Sequence, residues 1–311
     1  MGIKLLNQFI KYNCKNALSN VKFENLYGKT ICIDTHIYMY KFCHELSVIE
    51  GMYLLCSLFK KYNITPIFVW DGKPPKEKWN EIDRRNKEKR KLSKEYDILR
   101  EKYNRGNIMD ENLLLKINKI KKQIVRINHV DIQNVKNLFD SYGIMHITAD
   151  GEADKLCAEL VIQKKAYACV SEDMDLFVYG CPRVLRYMNI RRESFCLYDF
   201  NKILKKINIS FENFKVLCIL CGTDYDKNSR SIFKLYKYYE KWEKQNATKT
   251  FLVWLNENYC NDLDLEELNK VYSLFDMETK THLEITKSKI DKKKLYEVLK
   301  LDNFIFPLIV F

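Results

Sequence analysis

Seven acidic residues sit where a carboxylate is costly unless a cation faces it. Asp34 closes the apolar run TICID (30–34), and Asp71 follows PIFVW (66–70). Glu152 and Asp154 open the helical pattern of ADGEADKLCAELV (149–161). Asp173 and Asp175 leave the apolar run AYACV (166–170) within VSEDMDLFVYG (170–180), and Asp224 stands in CGTDY (221–225). Each has an ordinary explanation. An acid in a first helical turn complements the macrodipole, Asp before Gly is common turn chemistry, and Asp224 could cap the next segment. Jointly these explanations weaken, because seven acids cannot ionise close together without cations. Oxygen ligation without His or Cys selects a hard ion, Mg²⁺ or Mn²⁺. Two such ions about 4 Å apart clamp an in-line phosphoryl displacement.

The elements that must position these acids are legible as alternation. Runs 30–34, 66–70, 144–148, 166–170 and about 184–187 are short and β-rich, with helical patterns such as 51–62 and 131–142 between them. Strands alternating with helices predict a mostly parallel central sheet with helices on both faces. In such folds the working site lies beyond the carboxyl ends of the strands, where Asp34, Asp71, Asp173 and Asp175 all fall. Residues two apart on an extended segment point the same way. Asp173 and Asp175 are therefore expected to face the site, with Met174 turned to the core and Glu172 facing elsewhere.

The charge balance narrows the partner. The chain has 311 residues, a formal charge of +12 and 47% hydrophobic residues, which excludes disorder and favours a polyanion or an acidic membrane face. Segment 76–126 holds 17 Lys/Arg against 9 Asp/Glu, so it carries +8 of that charge. Its apolar residues form thin stripes, Leu92, Tyr96, Leu99, Tyr103 and then Leu113, Ile117, Ile120, Ile124, which predict two amphipathic helices around a break at 105–110. They are either a solvated helical hairpin or an arch serving the site. No apolar run approaches ~18 residues, so no membrane partner is expected. Eleven scattered cysteines suit a reducing intracellular compartment, nucleus or cytoplasm. Cys218-x-x-Cys221 reads as two small apolar residues of a buried helix. The tail FIFPLIVF (304–311) is expected to pack on the body. A basic protein with an acidic two-metal site has the charge layout of a nuclease.

The ordered motifs MGI, ICIDTHIYMYKF, FVWDGKPPKEK, ADGEADKLCA, VSEDMDLFVYG and LCILCGTDY resemble the flap endonuclease branch of the XPG-type 5′ nucleases, from Gly2 to about residue 303. The resemblance implies a PIN-like 5′ nuclease fold in a single domain. Residues 2–75 and 127–224 would form its core, 76–126 a basic helical arch, and 225–311 a C-terminal part with a degenerate helix–hairpin–helix. It implies metal-dependent hydrolysis of DNA bearing a 5′ flap, nick, gap or branch. Asp34, Asp71, Glu152, Asp154, Asp173, Asp175 and Asp224 would hold two Mg²⁺ ions, with Mn²⁺ able to substitute. Glu152, Asp154 and Asp173 would lean towards one ion and Asp175 and Asp224 towards the other. Lys78 and Arg85 would contact the scissile phosphate and act with Asp173 in catalysis, while Tyr40 would stack on a base. Gly2, Arg84, Lys227, Arg230 and Lys234 would complete the DNA contacts, and the chain is expected to act as a monomer.

Three departures stand out. Ser231-Ile232-Phe233 replaces the Gly-Ile-Gly that approaches duplex phosphate and a monovalent ion, so Lys227, Arg230, Lys234 and Lys237 would have to substitute. Leu55 and Leu58 occupy positions where DNA-gripping arginines are expected. No sliding-clamp peptide is recognisable. Two other readings explain the charge: a non-catalytic junction-binding protein and a basic membrane-surface protein. The first should have lost at least one of the seven acids, and the second leaves them without a role.

Overall fold

The computed structural model describes residues 2–45, 47–105, 110–225, 229–245, 248–277 and 289–300. The backbone divides into two compact units, the first Met1–Thr35, Ser57–Lys73 and Met145–Thr286, the second His36–Cys56, Pro74–Ile144 and Lys287–Phe311. The tail 304–311, Lys227, and residues 106–109 of the expected helix break lie outside the described residues.

The strands are β1 (Leu18–Lys22), β2 (Thr30–Asp34), β3 (Thr65–Trp70), β4 (Met145–Thr148), β5 (Ala168–Val170), β6 (Arg183–Asn189) and β7 (Ser194–Asp199). The helices of the first half are α1 (Leu6–Asn13), α2 (Thr35–Glu45), α3 (Val48–Lys61), α4 (Trp79–Arg105), α5 (Glu111–Ile124) and α6 (His129–Tyr142). Those of the second half are α7 (Ala153–Ile162), α8 (Asp175–Val178), α9 (Phe200–Lys206), α10 (Phe211–Cys221), α11 (Ile232–Lys244), α12 (Phe251–Asn258), α13 (Leu265–Leu274) and α14 (Lys292–Lys300).

The first unit is built on one sheet in the order β1-β7-β6-β5-β2-β3-β4. Pairs β6–β5, β5–β2, β2–β3 and β3–β4 are parallel, as the apolar runs predict, while β1–β7 and β7–β6 are antiparallel. The antiparallel edge was not legible: β1 (LSNVK) is half polar and nowhere fully buried, so it shows no period-two signal. Period two is clear in the centre. Cys32, Ile67, Val69, Cys169 and Val184 join one core cluster, while Ile31, Ile33, Phe68, Val170 and Leu185 are buried but lie outside it. Helix α7 packs across β2, β3 and β5 on the cluster side. Stacked Phe23, Phe59 and Phe195 are likewise buried outside the cluster, with ring centroids 5.8 and 4.6 Å apart. Cys218 and Cys221 are buried on α10 as read.

The chain runs outward from β2 to β3 and β4, then returns to place β5 on the other side of β2. That reversal is the topological switch point of an open parallel sheet, where adjoining loops diverge and leave a crevice. Asp34 ends β2, and Asp173 and Asp175 follow β5, so both flank it.

The second unit is helical in the described residues. Helix α4 buries no residue and relies on Lys, Arg and Glu propensity with pairs such as Arg84–Glu88 at 2.6 Å. Its partner α5 buries Ile117 and Ile120, members of the expected stripe, and starts where Asp110 accepts the Leu113 N–H. Helix α6 carries an Asn128/Asp131 capping box and stops at Gly143, φ 64°. Tyr53 stacks on Tyr142 at 5.3 Å, and Leu55 is fully buried, a core residue where an arginine was the family expectation.

One contact ties two loops of the first unit together. Gly72 N–H donates to Gly151 O at 2.7 Å, and a Cβ on Gly72 would stand 1.9 Å from Ala149 O. Only glycine permits that approach. Gly72→Ala should therefore lose about 2 kcal/mol or more of stability, an overpacking cost with rigid backbone as the obstacle. Urea denaturation measures it, and a wild-type midpoint would remove the constraint.

Candidate metal centre

The β3 and β4 loops supply three acids as a set. Asp71, just past β3, accepts the Ala153 N–H through Oδ1 at 2.9 Å and so satisfies the first amide of α7. Glu152 is the N-cap residue of α7 and Asp154 lies in its first turn. With Gly72 joined to Gly151, these acids are fixed relative to one another.

The β2 and β5 ends supply the other set. Ser171 Oγ lies 3.5 Å from Asp34 Oδ2 and accepts the Asp173 N–H at 3.1 Å. Asp173 Oδ1 in turn accepts the Asp175 N–H at 3.1 Å. All three aspartates are buried. The segment is not the extended one expected: Met174 has φ −87° and ψ −13°, and α8 begins at Asp175. The turn arises because the Asp173 carboxylate takes the amide two residues on, an Asx-type contact that competes with extension. Met174 is nevertheless buried, and Glu172 does face away, accepting the Tyr187 N–H and lying 3.5 Å from Arg186. Arg186, itself buried on β6, also donates to Glu172 O at 2.7 Å and to Asn7 Oδ1 at 2.8 Å. The buried guanidinium thus anchors the backbone of the acidic turn through the one acid that is not aimed at the site.

The two sets meet electrostatically. Asp154 is held well above the usual carboxylate range by burial first, and then by the charges of Asp173, Asp34, Asp175 and Asp71. Its Oδ1 is buried and accepts no hydrogen bond. Glu152 joins through a tyrosine relay in which Tyr225 OH donates to its Oε2 and Tyr179 OH lies 3.3 Å from Tyr225 OH. Burial raises both phenols first; the Glu152 charge adds to this at Tyr179, and Tyr179 and then Glu152 add to it at Tyr225, which stays protonated and remains a donor. Asp224 precedes Tyr225 at the end of this relay. Gly2 closes in from the N-terminus at φ +72°, and a Cβ there would stand 2.3 Å from Asp173 Oδ1 and from Asp175 Oδ1.

This donor set fits hard divalent ions. It is all oxygen, and one buried carboxylate oxygen lacks a donor. Among the described residues no three carboxylates bring oxygens within 4.8 Å of one another. That spacing suits a hard divalent ion that keeps much of its water and takes one or two carboxylates at a time. It does not suit one ion caged by protein.

The remaining expected residues belong to other elements. Tyr40, Lys78, Arg84 and Arg85 belong to the second unit. There Lys89 Nζ sits 5.2 Å above the Tyr40 ring, and Glu81 pairs with Arg84 at 2.7 Å and with Arg85 at 2.6 Å. Hydrogen bonding to Arg84 lowers the Glu81 carboxyl against the opposing effect of burial, with Arg85 adding to it. In the first unit Arg230 pairs with Asp262 at 2.7 Å, and Lys234 Nζ lies 5.8 Å from the Tyr238 ring centroid. Phe233, standing where a glycine was expected, packs edge-on to Phe9 at 5.5 Å. The sequence reading missed Ser171, Arg186, Tyr179 and Tyr225. Only Tyr225 carried a signal, its adjacency to Asp224.

Tyr225→Phe removes the donor to Glu152 while preserving the ring. It should weaken Mg²⁺ binding about tenfold, as expected for a hydrogen bond to a charged group, with circular dichroism unchanged. Calorimetric titration tests this, and unaltered affinity would discount the relay.

Comparison with known proteins agrees with this geometry. The XPG N-terminal domain matches residues 1–92 and the XPG I-region matches residues 143–224. Flap endonuclease 1 of Debaryomyces hansenii is 32% identical over 268 residues, covering 78% of this chain and 68% of that protein. Flap endonuclease 1 of Candida dubliniensis is 30% identical over 292 residues, covering 84% and 75%. In fold, the chain is similar to the catalytic core of Rad2, with TM-score 0.65, 21% identity and 97% and 94% coverage. It is also similar to flap endonuclease-1 from Methanococcus jannaschii, with TM-score 0.62, 21% identity and 91% and 89% coverage. The chain belongs to the flap endonuclease branch of the XPG family, structure-specific 5′ nucleases that hydrolyse DNA phosphodiester bonds.

Proposed function

We propose that this protein cleaves DNA carrying a 5′ flap, nick, gap or branch by attack of water on a phosphodiester, without a covalent intermediate. The observation that supports this most is the gathering of Asp34, Asp71, Asp154, Asp173 and Asp175 in one electrostatic cluster of a chain with net charge +12. We assign Asp34, Asp71, Glu152, Asp154, Asp173, Asp175 and Asp224 as the residues that hold two Mg²⁺ ions, with Mn²⁺ as a substitute. Bound there, the ions would supply charge stabilisation to the phosphate and acidify water.

The chain's own residues do the rest. Asp173 and Asp175 orient oxygens at the crevice because Ser171 and Arg186 fix the turn behind them. Glu152 is held by Tyr225. Lys78 and Arg85 bring positive charge to the scissile phosphate, where it counts most as charge develops in the transition state. For Arg85 this means leaving Glu81. Tyr40 serves as a platform for a base beside the cut, worth ~1–3 kcal/mol. Gly2, Arg84, Lys227, Arg230 and Lys234 contact DNA. With Phe233 packed on Phe9, duplex holding near α11 falls to side-chain charge instead of backbone amides. Segment 76–126 acts as the arch that admits a 5′ single strand. The protein works as a monomer in a reducing compartment, nucleus or cytoplasm, a reading supported by its eleven scattered cysteines.

Asp173→Asn should abolish cleavage of a 5′-flap DNA in Mg²⁺ while leaving its binding in Ca²⁺ within about twofold. Retained turnover would sink the assignment. EDTA should silence the wild type on a panel of flap, nicked, gapped and four-way DNAs, and the Mg²⁺ rates on that panel rank its substrates. Lys78→Ala and Arg85→Ala should each slow single-turnover cleavage by about 100-fold or more with little loss of affinity; a loss confined to affinity would assign them to binding alone.

A further inference from the structure

Behind the acids lies a second cluster that the nuclease reaction does not use. Cys32 on β2, Cys157 on α7 and Cys169 on β5 are all fully buried, and their sulfurs lie within 4.8 Å of one another. Among the described residues this is the one His/Cys/Asp/Glu group so closely gathered. Three separate elements build it. Cys32 and Cys169 are register partners across parallel strands, on the core-cluster face of the sheet, and α7 packs over that face. Cys32 Sγ lies 3.4 Å from Cys157 O and 3.6 Å from Ala168 O, backbone of the same helix and strand that carry the other two thiols. Three small core residues could fill this space with no further role. Yet an ion bound to three sulfurs at about 2.3 Å sets them about 4 Å apart, close to the spacing already present. Among the described residues no fourth His, Cys, Asp or Glu joins the group, which disfavours tetrahedral zinc and favours soft ions that accept three thiolates.

We propose that Cys32, Cys157 and Cys169 form a binding site for a soft, thiophilic metal ion held by three thiolates. Each thiol releases its proton to solvent as its sulfur coordinates, and the ion's charge is offset by the sulfurs. The site is coupled to the acids by the chain itself: Cys32 is two residues before Asp34, Cys157 three after Asp154 and Cys169 four before Asp173. An ion held by all three sulfurs locks β2, β5 and α7 to one another and removes the small adjustments of the acids that turnover requires, so occupancy inhibits cleavage.

The test uses the full chain, stripped of metal, reduced without a competing thiol, and saturated with Mg²⁺ so that the acids are occupied. Cd²⁺ is titrated in while thiolate-to-cadmium charge-transfer absorbance is followed, a band carboxylates cannot give. One Cd²⁺ per chain in this band is expected. Cys157→Ser and Cys169→Ala should each weaken it at least tenfold, and Cys260→Ser should leave it intact, circular dichroism confirming that each variant is folded. Flap cleavage by the wild type should fall in step with the band and that of the folded triad variants should resist. Absence of the band at one equivalent, equal Cd²⁺ affinity in either triad variant, or equal loss in Cys260→Ser would overturn the proposal. Because the band is read without DNA, its failure is distinct from any failure of nuclease activity.

Discussion

Like charges set the terms for this molecule. Two carboxylates 4 Å apart repel by about 4 kcal/mol at the effective dielectric of a protein surface, and a cluster of them multiplies that. The first unit answers with rigidity. The acids leave the carboxyl ends of parallel strands at a switch point, so the sheet ladder fixes their roots. Among the groups that meet their side chains are the Ser171 hydroxyl, the Tyr225 phenol and backbone amides, which bring little positive charge. Arg186, a buried cation on β6, is turned towards Glu172, the acid that faces away from the crevice. A scaffold arranged in this way holds negative potential ready for cations.

The chain keeps its positive charge in separate elements. The surplus concentrates in α4 and α5, whose sequence stays helical through propensity and intrahelical ion pairs with few buried side chains. Exposed pairs of this kind contribute little stability each, so they can be exchanged for phosphate at small cost. Glu81, held by both Arg84 and Arg85, illustrates such an exchangeable partner.

Much of this was legible in the sequence because the signals were local. A β-rich run ending in Asp, an acid at a helix entry and a stripe at spacing three or four are each contained in a short window. The parallel core and the α4–α5 pair follow from such windows. What escaped reading is non-local or lacks periodicity. Strand β1 alternates poorly and exists because β7 pairs with it. Tyr179 reaches Glu152 through Tyr225, and Gly72 is required by a carbonyl far along the chain. The cysteine triad comes from three elements whose proximity no spacing announces. The turn at Met174 was misjudged because a side chain of the motif bonds its own backbone.

The joining of Gly72 to Gly151 means that Asp71, Glu152 and Asp154 move as one body. The chain of contacts Asp34–Ser171–Asp173–Asp175 makes a second. A centre made of two such bodies has a characteristic mutational grammar. Damage to two residues of one body disturbs the same displacement and combines less than additively. Damage to one residue in each body causes two different displacements within one electrostatic cluster, so the energies come closer to summing without reaching it. The pattern of epistasis among the acids therefore encodes which strands carry them.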